Sequence, residues 1–410
     1  MKRDRQYVKF CAYGFLKNLR FFDAFLLLFF LENKIDYSQI GILYAVREIV
    51  INGAEVPSGI FADAYGRKRS LLFAFLIYIT SFSVFYISKD FSLLLMAMVL
   101  MGVADAFRSG THKGMIMDYL KHKGWQGEKV KYYGETRSWS QKGSALSALM
   151  AGIMVFYSGN YRLIYLLSII PYLINFVNIY TYHEELNHSI KKKEKAQFSI
   201  KKLFQSILLS LRKGRVIQLV NSSALHTAYL KSIKDYIQPL IVNLSFMIPI
   251  AWTLDSKGKS GLIIGMVYFL IFLLTSAASK HSSKILSMNV INIEQKSLFL
   301  GLSMGLLSGI CYLLNIWWVA LVLFVMIYII ENGRKPILTG FLVENVPNEI
   351  LTSVLSAQSF YSTLMSAMIA ICLGTLAENY GVGISLFIVS VILMVLTLVI
   401  GVRRVEIEEI

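Results

Sequence analysis

Gly59-Ile60-Phe61-Ala62-Asp63-Ala64-Tyr65-Gly66-Arg67-Lys68-Arg69 separates two apolar runs, residues 38–62 and 70–88, each long enough to cross a bilayer. A hydrocarbon core of ~30 Å needs about 20 apolar residues of helix. Outward from this loop, ten further runs of that kind follow: 10–31, 91–117, 137–157, 161–182, 216–243, 261–279, 297–315, 317–343, 352–377 and 382–402. The apolar stretch 244–254 is shorter, broken by Pro249 and closed by Asp255, and reads as an interfacial piece. The 410 residues are 56% hydrophobic and 16% charged, whereas soluble domains run at about 45–50% and about 25%. A chain this apolar is not disordered, and 6 prolines with 27 glycines exclude a collagen-like design. Cys11, Cys311 and Cys372 are far apart and match neither a metal-ligand spacing nor a disulfide framework. No cofactor is implied. The first run has no small-residue cleavage site after it, so it reads as a membrane helix and not as a signal peptide.

The net charge of +16 could suggest nucleic acid, but its placement suggests topology. With the amino terminus in the cytoplasm, the inside segments hold 25 Lys and Arg and the outside segments 5. Both termini are then cytoplasmic, in a multi-pass protein of the plasma (inner) membrane. Lipid is the expected surrounding, and no nucleic-acid partner is expected. The expected fold is an all-α integral membrane protein with twelve transmembrane helices in two pseudo-symmetric six-helix bundles. The amino-terminal bundle is 1–182, the carboxy-terminal bundle 216–410, and 183–215 is a basic cytoplasmic linker. The linker run Lys191-Lys192-Lys193-Glu194-Lys195 reads as a solvated interdomain segment, with anionic headgroups as the sharper alternative.

The loop Gly59–Arg69 resembles the signature of the major facilitator superfamily of secondary transporters, Gly-x-Leu-Ala-Asp-Arg-x-Gly-Arg-Lys, found between the second and third helices. Gly59, Asp63, Gly66, Arg67 and Lys68 match its spacing, while Phe61 and Ala64 depart from it. Physically, Gly59 allows a neighbouring helix to come close. Asp63 at a helix end can accept hydrogen bonds or pair with a cation. Gly66 suits a tight turn, and Arg67 to Arg69 suit the headgroup layer. The resemblance implies that this cluster latches the two halves in one transport state. The second half keeps weak echoes: Ser276–Lys284 repeats the loop without its acid, and Glu331–Pro336 repeats the small residue and cations of Arg108–Lys113. Such internal symmetry is what a duplicated six-helix unit leaves.

Eleven basic and ten acidic residues fall within the expected spans, where each costs ~3 kcal/mol unless it faces a cavity or a partner. They concentrate on helices 1, 2, 4, 5, 7 and 10, and the resemblance implies that helices 1, 4, 7 and 10 line a central cavity. Helical spacing places Lys17, Arg20 and Asp23 on one face, and Glu48, Asn52, Glu55 and Gly59 on another. It pairs Asp105 with Arg108, with His112 one turn on. Lys231, Lys234, Asp235 and Gln238 form a stripe, and Glu331, Arg334 and Lys335 a cluster. Carboxylates that could carry a proton are Asp23, Glu48, Glu55, Asp105 and Glu331. Candidates for the substrate cavity are Arg20, Asn52, Arg108, His112, His226, Lys231, Gln238, Arg334 and Gln358. Arginine is favoured there because a guanidinium grips a carboxylate or phosphate with two parallel bonds. The competing reading is a set of interhelical ion pairs that orders the bundle.

The reading that results is a secondary transporter of a small solute, expected to be a monomer that also exchanges protons. Proton-coupled efflux of a drug-like or charged metabolite is favoured, with uptake of an anionic metabolite as the alternative. Antiporters of the resembled family often carry Arg-x-x-Gln-Gly on helix 4 and Gly-Pro-x-x-Gly-Gly on helix 5. Here Arg108-Ser109-Gly110 and the proline-free Gly143–Gly152 stand instead, which keeps uptake open. A polytopic membrane enzyme is remote: His112 and Asp118 are one residue too far apart for an acyltransferase His-x-x-x-x-Asp pair.

Overall fold

A computed structural model describes residues 4–183, 186, 214–247, 256–282, 292–346 and 348–408. The linker run Lys191–Lys195, most of the stretch 244–254, and the last two residues of the Ser276–Lys284 echo lie outside the described residues.

Among the described residues every regular element is a helix. In order they are α1 (Arg5–Leu16), α2 (Leu26–Glu32), α3 (Tyr37–Tyr65), α4 (Arg67–Ile87), α5 (Phe91–Arg108), α6 (Thr111–His122), α7 (Lys129–Ser158) and α8 (Tyr161–Tyr180). Then come α9 (Gly214–Ile233), α10 (Ile237–Met247), α11 (Ser256–Lys280), α12 (Ile293–Leu313), α13 (Trp317–Asn345) and α14 (Asn348–Glu408). Side chains start several of them: Asp4 caps α1 through the Tyr7 amide, Asp90 caps α5 through Leu93, and Asn160 caps α8 through Arg162. Gly66, with φ 93°, makes the left-handed turn between α3 and α4 that a residue bearing a Cβ resists. α14 is two helices meeting at Gly381.

Seven stretches among the described residues are long and apolar enough to cross a membrane: Arg67–Ile87, Phe91–His122, Tyr161–Tyr180, Lys257–Lys280, Ile293–Leu313, Trp317–Asn345 and Val354–Leu398. The last contains both arms of α14. The other expected spans are broken (10–31 and 216–243) or carry charged side chains (Arg47, Glu48 and Glu55 in 38–62; Arg137 and Lys142 in 137–157).

The chain divides into two compact units. Unit 1 is Met1–Ile35, Val46–Lys193 and Ser245–Phe272; unit 2 is Asp36–Ala45, Glu194–Leu244 and Leu273–Ile410. Unit 1 has an aromatic core in which Phe22 stacks on Tyr165 at 4.9 Å, and Tyr78 meets Tyr172 edge-on at 5.2 Å. Unit 2 packs Val216, Leu219 and Val220 of α9 against Leu338 and Leu342 of α13. Large apolar side chains such as Leu270, Leu273, Leu300, Val322 and Leu398 stay exposed. That is ordinary where the surrounding medium is hydrocarbon.

Candidate functional site

Unit 1 collects its charges where two helices break. The first membrane segment is not one helix: α1 ends at Leu16, Arg20 is non-helical (φ −96°, ψ 84°), and Phe21–Ala24 is a short 3-10 turn before α2. Lys17, Arg20 and Asp23 therefore do not share a helical face, which corrects the expectation. A broken helix in a membrane must find partners for its freed backbone groups, and α8 supplies them. The Tyr172 hydroxyl donates to the Lys17 carbonyl (2.9 Å), Ser168 Oγ accepts from the Phe21 amide (3.2 Å), and Asn175 donates to the Tyr13 carbonyl (3.2 Å). Spaced i, i+4 and i+7, the three lie on one face of α8. The fourth segment breaks at Ser109 and Gly110, the latter with φ 71°. Asp105 and Arg108 thus occupy the last turn of α5, while His112 belongs to α6. Its ring stacks on Tyr13 at 3.6 Å and meets Phe10 edge-on at 5.3 Å, with Lys17 and Arg108 within electrostatic reach.

At the breaks, one carboxylate meets three guanidinium groups. Asp105 Oδ1 lies 3.1 Å from Arg20 Nη2 and 3.1 Å from Arg108 Nη2, and its Oδ2 lies 2.6 Å from Arg47 Nη2. The Tyr78 hydroxyl donates to Asp105 and accepts from Arg20 Nη2 (3.0 Å) and Arg108 Nε (2.9 Å). Arg20 Nε donates to the Tyr172 hydroxyl (2.7 Å). The Asp105 side chain is 7% exposed, whereas those of Arg20, Arg47 and Arg108 are 14%, 19% and 24% exposed. The acid is more covered than any of the three cations. Asp23 and Glu48 lie within electrostatic reach of Arg20 and Arg47 and have interactions of their own. Arg47 Nε is buried without a hydrogen-bond partner among the described residues.

α3 grades outward from this cluster: Glu48 is buried, Asn52 half-buried, and Glu55 and Gly59 exposed. A Cβ on Gly59 would meet nothing within 4 Å, so close helix approach does not explain that glycine. In the loop motif, Arg67 Nη1 pairs with Asp118 Oδ2 at 2.6 Å, and its guanidinium fills the space a Cβ on Gly114 would need. Lys68 is buried and donates to the Tyr182 carbonyl just past α8 (2.9 Å). Asp63 is exposed and makes no ion pair among the described residues.

Unit 2 carries a second polar centre. Glu331 on α13 is buried, with His226 Nδ1 2.8 Å from Oε2 and the Thr227 hydroxyl donating to Oε1. Arg334 Nη1 stands 3.8 Å from Glu331. The Arg334 guanidinium is otherwise saturated: it donates to the Ser222 carbonyl (3.0 Å) and hydroxyl (2.7 Å), the Glu294 carbonyl (3.0 Å) and Ser297 Oγ (3.2 Å). Its guanidinium ties α9 to α12. Lys335 is exposed and does not join this cluster. The expected stripe on the seventh segment also divides, because the 3-10 turn Lys234–Tyr236 rotates its residues. Asp235 and Gln238 are buried, Lys234 is half-buried beside Asp235 (3.6 Å), and Lys231 is exposed. Gln358 donates to Ser223 Oγ (2.7 Å), and the Tyr361 hydroxyl donates to Asn221 Oδ1 (2.8 Å).

Arg47, Tyr78, Tyr172 and Thr227 were absent from the expected site. The available signal was the hydroxyl-bearing face of α8 and a phenol in the middle of an apolar run. His112 and Asp118, the one near-match to an enzyme pair, go to separate partners, Tyr13 and Arg67.

The sequence profile of the Major Facilitator Superfamily matches residues 13–370. A Bacillus subtilis (strain 168) protein described as an uncharacterized MFS-type transporter, YxaM, is 24% identical over 388 residues, covering 91% of this chain and 89% of that protein. Among solved structures, a point mutant of the nucleoside transporter NupG is similar with a TM-score of 0.78 at 15% identity, covering 97% of this chain and 99% of that one. A D-xylose-proton symporter is similar with a TM-score of 0.68 at 14% identity, covering 96% of each chain. At these identities the likeness to solved structures is one of fold. The chain is a multi-pass membrane transporter, not an enzyme, and it belongs to the major facilitator superfamily.

Proposed function

We propose that the protein moves a small solute bearing an anionic group by alternating access, with proton exchange at a separate centre. The observation that carries the reading is the arginine trio at Asp105: three cations share one covered carboxylate, which leaves positive charge in excess. Guanidinium groups in excess of their counter-charge favour a carboxylate, phosphate or sulfonate. The expected division of labour shifts accordingly. Asp105, expected among the proton carriers, serves instead as the counter-charge of its three neighbours. Glu331 suits the proton better, because a carboxylate against an imidazole can exchange a proton without leaving a bare buried charge. Alternating access would open the site to each side of the membrane in turn, with Asp63, Gly66, Arg67 and Lys68 as the latch.

This arrangement supports anion recognition and is indifferent to direction, so export and uptake are separated by assay. Purified full chain would be screened by thermal shift against acids and their neutral amides or esters of equal size. Anions raising the melting temperature while their neutral partners do not is the expected result. A preference for neutral or cationic solutes would overturn it. Proteoliposomes with the acid side set inside or outside then give the direction.

A further inference from the structure

The Glu331 centre of unit 2 has two hydrogen-bonding sides, and they differ in what they allow. Oε2 faces His226 Nδ1 at 2.8 Å, and Oε1 accepts from the Thr227 hydroxyl. A neutral imidazole carries one N–H and one bare nitrogen, whereas a hydroxyl carries one hydrogen and two lone pairs. Which of the two can adjust to a proton arriving on the carboxylate depends on what lies behind it.

Behind His226 lies no acceptor. The ring is buried, and its Nε2 has no hydrogen-bond partner among the described residues. That nitrogen sits where a Cβ on Gly301 of α12 would stand, against bare backbone. The single ring proton therefore belongs on Nδ1, donated to Oε2. A proton on Oε2 directed at the ring, or a second proton on the ring itself, would force an N–H at Nε2 that meets no acceptor. A buried donor left without a partner is costly.

Behind Thr227 stands an alternative acceptor. Its hydroxyl lies 2.9 Å from the Ser223 carbonyl, one turn back on α9, as well as against Oε1. While Glu331 is charged, the hydroxyl donates to Oε1. When Oε1 takes a proton, the new O–H donates to Thr227 Oγ, and the hydroxyl hydrogen turns to the Ser223 carbonyl. Both states are fully bonded, and no heavy atom has to move. Among the described residues, the charged or titratable groups that act on Glu331 are His226 and Arg334. Arg334 keeps its bonds to Ser222, Glu294 and Ser297 when the carboxylate is neutralised. Thr227 is half-buried, whereas Glu331, His226 and Arg334 are buried, so the centre is least covered on the Oε1 side.

We infer that Glu331 takes its proton on Oε1, with the Thr227 hydroxyl reversing its bond to accommodate it and His226 as a fixed, neutral donor to Oε2. This rests on the reading of Glu331 as the proton carrier, and it makes Thr227 the positioning residue of that step.

Infrared difference spectra of the purified full chain, recorded across an acid titration, test this with the proton itself as the probe. A protonated carboxyl has a carbonyl stretch of its own, which rises in frequency when the O–H finds no acceptor. The unaltered chain should show such a band that Glu331→Gln removes. Thr227→Val should move the band to higher frequency, and Thr227→Ser should leave it where the unaltered chain has it. His226→Asn, whose amide N–H takes the place of Nδ1–H, should keep the band. If Glu331→Gln removes no band, the reading of Glu331 as proton carrier falls, and this inference with it. A Glu331 band unmoved in Thr227→Val would overturn this inference alone, as would an imidazolium signal in the unaltered chain that His226→Asn removes. Thr227→Ala deletes the same hydroxyl and is read in the same way if Thr227→Val does not fold.

Discussion

A carboxylate has two oxygens, and Asp105 divides them among Arg20, Arg47 and Arg108. Removing that one charge leaves three partly buried guanidiniums facing each other. Breaking a buried ion pair from one side costs about 3–5 kcal/mol. Asp105→Asn is therefore expected to lower the melting temperature of purified protein sharply, and more than Glu55→Gln, whose carboxylate is exposed. Equal melting of the two variants would show that the trio does not depend on its counter-charge. Arg47 is the residue to change for recognition. It makes one bond to Asp105, and its Nε has no partner among the described residues. Arg47→Lys keeps the charge but removes the planar fork, and without a two-bonded grip on the anion affinity should fall roughly ten-fold or more. Binding titrations with the anion found in the solute screen would measure it; unchanged affinity would remove Arg47 from the site.

At the scale of elements, the two breaks put the arginines where they are. Gly110 has φ 71°, and a Cβ placed on it meets nothing within 4 Å, so Gly110→Ala carries only the conformational cost of about 1–2 kcal/mol. Thermal unfolding should show that loss. Tyr172 serves two purposes, capping the Lys17 carbonyl and holding Arg20 Nε. Tyr172→Phe leaves the aromatic packing with Tyr78 and Phe75 and deletes both bonds. Each buried partner left bare costs about 1–3 kcal/mol. The variant should melt lower and bind the anion more weakly, whereas Tyr165→Phe, whose ring lies among Phe22, Phe29 and Phe85, should alter only stability.

For the whole molecule, the predictions concern transport itself. Glu331→Gln should abolish accumulation driven by a proton gradient while exchange between equal solute pools continues. Loss of both in proteoliposomes would make Glu331 a structural group like its neighbour Arg334. Asp63→Asn should slow turnover more than it weakens binding if the loop motif is a latch, and equal losses would remove that role. The sequence alone determined the all-helical membrane fold and the family signature Gly59–Lys68. Both rest on local quantities: the length of an apolar run and the spacing within one loop. Even Lys17, Arg20 and Asp23 were visible as charges in a span, but an ideal helix put them on one face. The break that separates them depends on Ser168, Tyr172 and Asn175, some 150 residues away in the chain. Likewise only the tertiary structure could show Arg334 tying α9 to α12, and bring Arg47 and Tyr78 to Asp105. A buried charge goes wherever packing supplies its partners, and partners from different helices leave no periodicity in either.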